Sequence, residues 1–336
     1  MQTPPTPETE SRTRWALLDR RPGLFLSIVL TVTLGVSVYG CWGQSLFACP
    51  VSGYGADRYL AYCDAGGYGD YDYGAFWFGL EPNALSAAAE ADVLFLGNSR
   101  MQFGLSSPLT DAWFESAGED YYLLGFAYNG NYRFAGPLIQ RLQPKAQVYV
   151  INLDLFFEEE ETPPARTVMQ DSSAPARYRR KRFWQTVHTT VCSPVPMVCN
   201  RDPAFFRSRA TGAWRLAGGE RVFRSAAVSY DDMVDQRTVE AYAKSGERFL
   251  SALPARAECQ ILTTIPTVNT PIGTVRAVAS RLGRNLVVPE LADLTTFDES
   301  HLDTASAERW SRAFFEAAGP QIRMCLDGAS VPGPNE

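Results

Sequence analysis

The longest apolar stretch runs from Gly23 to Cys41 (GLFLSIVLTVTLGVSVYGC), 19 residues without a charge. At a helical rise of about 1.5 Å per residue it reaches roughly 29 Å, close to the hydrocarbon thickness of a bilayer. It predicts one transmembrane helix within 23–43. Arg12, Arg14, Arg20 and Arg21 precede it, and Arg58 is the only basic residue between it and Arg100. The positive-inside bias therefore puts the tail 1–22 in the cytoplasm and the body outside. Trp15 and Trp42 sit where interfacial aromatics belong. A cleaved signal peptide wants a shorter basic region and a small-x-small site. A lipoprotein signal at Val38-Tyr39-Gly40-Cys41 has an ill-fitting Tyr39.

Beyond the apolar segment, residues 44–85 form a Gly/Tyr-rich collar with no helical or strand period, which reads as irregular. From residue 86 the pattern becomes regular. Short apolar runs at Asp92–Leu96, Tyr121–Leu124, Gln147–Leu153, Gln260–Ile265 and Asn285–Val288 predict strands. Helical periods follow Gly97 and cover Arg133–Leu142, Val234–Leu253, Thr274–Leu282 and Thr304–Ala318. Strands alternating with helices predict an α/β domain over 86–322, followed by a tail at 323–336. Its sheet is parallel and flavodoxin-like, with about five strands and helices on both faces.

Composition adds one asymmetry. The 336 residues carry 31 basic and 37 acidic side chains, a net of −6, which disfavours a nucleic-acid partner. Residues 161–224, between the third and fourth predicted strands, carry 12 basic and four acidic residues, a net of +8. This basic insertion is irregular by pattern. It reads as a solvated loop, a lid gripping an anionic glycan, or a surface lying on anionic lipid. Apart from Cys41, six cysteines remain, and local spacing suggests Cys49–Cys63 and Cys192–Cys199, leaving Cys259–Cys325. Such disulfides require an oxidising compartment; unpaired buried thiols are the other reading. No cysteine spacing resembles a zinc site, and two histidines cannot make a His-rich centre, so neither metal nor cofactor is expected.

Two motifs carry candidate chemistry. Gly97-Asn98-Ser99-Arg100 follows the first strand directly. A hydroxyl at the carboxyl end of a buried strand faces the crevice where α/β sheets bind ligands. The backbone N–H of Ser99 can help hold an oxyanion there, although the hydroxyl needs a base to become a nucleophile. Asp298-Glu299-Ser300-His301 precedes the last helix. Asp and His three residues apart on one turn can lie side by side, the carboxylate fixing the imidazole tautomer. The other histidine, His188, lies in the insertion. A turn Ser and a helix-capping Asp are the bland alternatives. Arg100 reads either as an ion pair or as a contact to an anionic substrate.

An early strand-end Ser with a late D-x-x-H resembles the SGNH (GDSL-type) hydrolase family over residues 90 to 319. The G-N-S-R form is similar to the branch containing the exopolysaccharide (alginate) O-acetylation proteins and the lipoteichoic-acid D-alanylation protein. The resemblance implies a Ser99–His301–Asp298 triad acting on acyl esters. It also implies an oxyanion hole with Gly130 of Asn129-Gly130-Asn131, flanked by substrate-binding Asn129 and Asn131. The G-x-N-D block is absent, and either Asn152 or Asp154 falls in its place, which makes Asn152 the second oxyanion candidate beside Gly130.

The expectation is a single-pass protein of the bacterial inner (cytoplasmic) membrane, its globular domain periplasmic or extracytoplasmic. It acts as an O-acyltransferase or esterase on a cell-envelope glycan. Its partners are an acyl donor and a multi-spanning membrane-bound O-acyltransferase. The rivals are a non-catalytic scaffold for that partner or glycan, and a lipid-surface esterase.

Overall fold

The computed structural model of the protein describes residues 22–38, 49, 53–63, 69–192, 203–217 and 225–328. In chain order the first elements are α1 (Pro22–Val38), β1 (Arg58–Cys63), β2 (Gly69–Asp70), α2 (Asp72–Trp77) and α3 (Pro82–Glu90). Then come β3 (Val93–Asn98), α4 (Ser99–Gly104), α5 (Ser107–Ala117), β4 (Tyr121–Phe126), α6 (Tyr132–Leu142) and β5 (Val148–Asn152). The insertion holds α7 (Pro163–Gln170), α8 (Ala174–Cys192), β6 (Ala204–Ser208) and β7 (Trp214–Ala217). The last elements are β8 (Ala226–Ala227), α9 (Gln236–Ser251), β9 (Gln260–Thr263), α10 (Ile272–Leu282), β10 (Thr295–Thr296) and α11 (Thr304–Asp327).

The centre is a parallel four-stranded sheet in the order β4-β3-β5-β9. Every residue of these strands is buried, as expected of strands covered on both faces. Alternation divides their side chains between two cores. Leu94, Leu96, Tyr122, Leu124, Tyr149 and Ile151 pack toward α2, α3, α6 and α9. Val93, Phe95, Leu123, Val148 and Val150 pack toward α4, α5 and α11 through Met101, Phe114, Trp310 and Phe314. The chain leaves the central β3 first to one side and returns to the other, so the carboxyl end of β3 is the switch point of the sheet.

The structure corrects several expectations. The fifth strand at Asn285–Val288 is reduced to a single parallel bridge between Leu286 and Leu262. The last helix passes Ala318 and Pro320 and runs to Asp327, because Ile322, Cys325 and Leu326 are buried on its inner face. Where it is described, the collar is not irregular. Its β1 and β2 pair with β6 and β7 of the insertion in an antiparallel sheet, β2-β1-β6-β7. Tyr59, Tyr71, Tyr73 and Phe76 are buried in the same core as Leu94. The insertion is likewise ordered where described, and three of its arginines are taken up in ion pairs within the fold. Arg207 is fully buried beside Asp72, Arg209 pairs with Glu81, and Arg177 pairs with Asp171. Arg182 lines a cavity of about 620 Å³ together with Arg58 and Arg209, which contains no residue of the Ser–His–Asp set.

The helix in the apolar segment spans Pro22–Val38, 17 residues, and all of them are exposed. Among the described residues no helix is long and apolar enough to cross a membrane. The remainder of the expected span, 39–43, lies outside the described residues, as does the tail 1–21.

Two of the three expected disulfides are present, Cys49–Cys63 and Cys259–Cys325. Cys199 and the side chain of Cys192 lie outside the described residues. Cys259–Cys325 ties the start of β9 to the last turn of α11, closing a separation of 66 residues. Removing such a link relaxes the unfolded chain and costs about 2–5 kcal/mol. The Cys259→Ala/Cys325→Ala protein should lose that much in urea unfolding under non-reducing conditions. A loss under about 1 kcal/mol would mean that α11 is held by packing alone.

Candidate active site

Ser99 stands at the switch point because β3 turns directly into α4. Gly97 permits the turn: a Cβ there would lie 3.0 Å from the Asn152 Cβ and 3.1 Å from the Met101 Cβ. Asn98, extended at φ −112°, caps α4 by accepting the Arg100 N–H at 2.9 Å. Ser99 is therefore the first helical residue, and its N–H leaves the helix N-terminus with no carbonyl a turn before it. The Asn98 amide also donates to the carbonyl and to Oδ2 of Asp154, at 3.1 and 3.0 Å. A carboxylate at position 98 could make the cap but not this second contact, since it would meet Asp154 as a like charge. The Asn of G-N-S-R and the Asp of N-L-D thus belong to one arrangement.

The D-x-x-H segment is a tight turn between β10 and α11, with the Phe297 N–H donating to the His301 carbonyl at 2.9 Å. Glu299 sits at φ +68°, which curls the turn enough to bring Asp298 and His301 together. Asp298 Oδ1 accepts the backbone N–H groups of Ser300 and His301, at 3.1 and 2.8 Å. Its Oδ2 is 2.8 Å from His301 Nδ1. Burial alone would raise the Asp298 carboxyl, but the imidazole and these two amides outweigh it and hold the group below the usual carboxylate range. With Nδ1–H donating to Asp298, Nε2 presents its lone pair to the Ser99 hydroxyl, 2.9 Å away. Three side chains spanning 202 positions of sequence thus meet in one hydrogen-bonded line.

The imidazole is held on two sides by rings that sequence reasoning missed. Phe297 stacks on it at 5.6 Å and Phe103 meets it edge-on at 4.9 Å. Phe103 lies one helical turn after Ser99, so an i, i+4 reading of α4 would have found it. Below, the buried Gln102 donates to the carbonyls of Leu123 and Gly125 and accepts the Trp214 N–H, each at 3.1 Å. The inserted strand β7 thereby supports the helix that carries Ser99.

The other candidates divide. Arg100 is not turned outward: it pairs with Asp154 at 2.5 Å and donates from Nε to Ser300 Oγ at 3.1 Å. It braces the Asp298 turn against the end of β5. Gly130 is buried, and a Cβ there would lie 2.8 Å from the Phe126 Cβ and 3.1 Å from Tyr73 Oη. Only glycine fits that position, and among the described residues its N–H makes no backbone hydrogen bond. Asn131 is not a surface group. It is 2% exposed and caps α6, accepting the Arg133 N–H while its amide donates to the Glu160 carbonyl. Asn152 is fully buried, its Oδ1 accepting the Ile265 N–H at 3.2 Å, so it supports Asn98 from beneath instead of facing a ligand. Asn129 is exposed. His188 is buried against the Cys49 carbonyl and the Tyr54 ring, apart from this set.

A hydroxyl, an imidazole and a carboxylate in this geometry can deliver a serine oxygen to an electrophilic carbonyl and carry its proton. Among the described residues no three of His, Cys, Asp and Glu lie close enough to hold a metal ion. Compared with protein-family models, with curated proteins and with solved structures, the chain matches none.

Proposed function

We propose that the chain is an SGNH-type serine enzyme that moves acyl groups between esters and the hydroxyls of a cell-envelope glycan. The observation that carries this reading is the Ser99–His301–Asp298 line, at 2.9 and 2.8 Å. His301 Nε2 takes the Ser99 proton as Oγ attacks an ester carbonyl. Asp298 holds the imidazole in place and stabilises its charge. The N–H groups of Ser99 and Gly130 receive the oxyanion. Collapse of the tetrahedral intermediate expels the alcohol, which takes its proton from His301, and leaves an acyl-Ser99. His301 then deprotonates the acceptor. Water as acceptor gives an esterase and a sugar hydroxyl gives an O-acyltransferase, the same residues serving both halves.

The glycan class comes from the G-N-S-R resemblance. The proposed anchor and extracytoplasmic placement rest on the apolar helix Pro22–Val38, exposed along its length behind a basic tail, and on the two disulfides. A membrane-bound O-acyltransferase partner would supply the acyl donor. A fluorophosphonate reporter tests the core of the reading. It should label the detergent-solubilised protein on the peptide containing Ser99, and labelling should vanish in Ser99→Ala. A native chain that stays unlabelled would leave only a scaffold.

A further inference from the structure

We propose that Tyr128, held at the outer end of a row of aromatic side chains that runs from His301, is a stacking platform for a pyranose ring of the glycan whose ester or hydroxyl meets Ser99. This rests on the acyl-transfer reading above and names where its saccharide binds.

The rings form a continuous row. Phe103, 4.9 Å from His301, meets Phe205 at 5.4 Å. Phe205 stacks on its cross-strand partner Tyr62 at 5.8 Å, with 24° between their planes. Tyr62 meets Tyr128 at 5.8 Å, and their hydroxyls are 3.4 Å apart. Phe103, Phe205 and Tyr62 are each partly exposed, and Tyr128 is 48% exposed. The row draws on four separate pieces of chain: the nucleophile helix, β1, the loop after β4 and the inserted β6.

The loop after β4 gives the second, independent observation. Tyr128 and the adjacent Asn129 both sit in the left-handed region, at φ +52° and +55°. Asn tolerates that conformation, but for a bulky aromatic it is an outlier. The surrounding structure enforces it. Tyr73 Oη donates to the Ala127 carbonyl at 2.8 Å, and Gly130 packs against Phe126 and Tyr73 on the other side. The result is a large ring held out toward solvent two residues before the proposed oxyanion glycine. Strain of this kind gathers at ligand clamps.

The chemistry fits a sugar better than an acyl chain. A pyranose offers an apolar C–H face to a ring and hydroxyls around its edge. Phe205 is sandwiched between Tyr62 and Trp214, which stacks on it at 5.4 Å and 12°, so the inner rings buttress the row and the ring offered to a sugar is the exposed Tyr128, beside its own hydroxyl and the exposed Asn129 amide. An acyl chain has nothing to offer those polar groups.

The test is binding to the full chain in detergent, in the Ser99→Ala background so that no turnover intervenes. The probes are hexasaccharides of glucose, N-acetylglucosamine and glucuronate, followed by quenching of intrinsic fluorescence. At least one should bind saturably. Tyr128→Asn, which keeps the left-handed backbone and removes the ring, should weaken it at least tenfold, and Tyr62→Leu should do the same. Failure of all three sugars to bind would overturn the proposal, as would binding that both variants leave unchanged. Because the readout is binding, ring-dependent affinity in a chain that no fluorophosphonate labels would uphold the platform and sink catalysis. Labelling without sugar binding would do the reverse.

Discussion

Ser99→Ala should lower turnover of an activated acyl ester such as p-nitrophenyl acetate by about 10⁴–10⁶-fold, to the level left when a serine triad loses its nucleophile. Stability should change by less than about 1 kcal/mol, because Ser99 is only partly buried and its hydroxyl meets His301 alone among the described residues. The measurement is turnover by the solubilised full chain alongside urea unfolding of the same preparations. Turnover within tenfold of the native protein would exclude Ser99 as the nucleophile. His301→Ala should fall nearly as far. The Ser99→Ala/His301→Ala double variant should be no slower than either alone, since groups acting as a unit are not additive.

Asp298→Asn separates orientation from charge. An amide at 298 can still accept the two backbone N–H groups, but an NH₂ facing Nδ1 favours the tautomer that carries its proton on Nε2. That form cannot take the Ser99 proton, and a loss of about 10⁴-fold is expected on that ground. The native carboxylate is ionised at neutral pH because its folded pKa is depressed. Its hydrogen bonds stabilise the fold fully above the ordinary carboxylate range. That contribution fades only as pH falls through the depressed value.

These residues were legible in sequence because each motif is local. A Ser directly after an apolar run and an Asp three residues before a His need no knowledge of distant chain. Asn131 needed only more weight on capping, since Asn opening a helix is a common cap. The collar was harder. Strand β1 has the burial pattern iBBBiB and a register shift between Leu60 and Tyr62, so no period of two survives. Its partner strand lies more than 140 residues away in the insertion. Arg100 shows the same difficulty at the site, because its ion-pair partner Asp154 and its contact Ser300 are supplied by β5 and by the final turn. Charge counting misled most in the insertion, where a basic residue was read as solvated and Arg207 is instead in the core.

Arg207→Met should destabilise the protein by about 3–5 kcal/mol, the typical effect of removing one partner from a buried ion pair. The side chains of Arg207 and Asp72 are 0% and 1% exposed, with Nε 3.3 Å from Asp72 Oδ2. Burial pushes the Asp72 carboxyl up, opposed by the Arg207 guanidinium and by the Tyr59 hydroxyl, which donates to it at 2.6 Å. Burial likewise disfavours the Arg207 charge, but Asp72 overcomes this and holds it protonated. The guanidinium lies 5.0 Å from the Phe126 ring and 5.2 Å from Phe76, and donates to the Gly125 carbonyl beside the turn that leads into Ser99. Without it, Asp72 faces these rings with the Tyr59 hydroxyl and the Trp214 indole left to oppose burial, and its folded pKa must rise further. A folded-state acid raised in this way favours the protonated form. The deficit should therefore be smallest at about pH 3, below the ordinary carboxylate range of about 3.9–4.3, and widen as pH climbs. Urea midpoints of variant and native protein at pH 5 and 7.5 would show the gap widening. Asp72→Leu/Arg207→Met should recover most of the loss, since an apolar pair of similar volume leaves no buried charge. A single-variant loss below 1 kcal/mol, or a gap that narrows with rising pH, would mean that the pair is solvated and that the inserted sheet is not anchored through it.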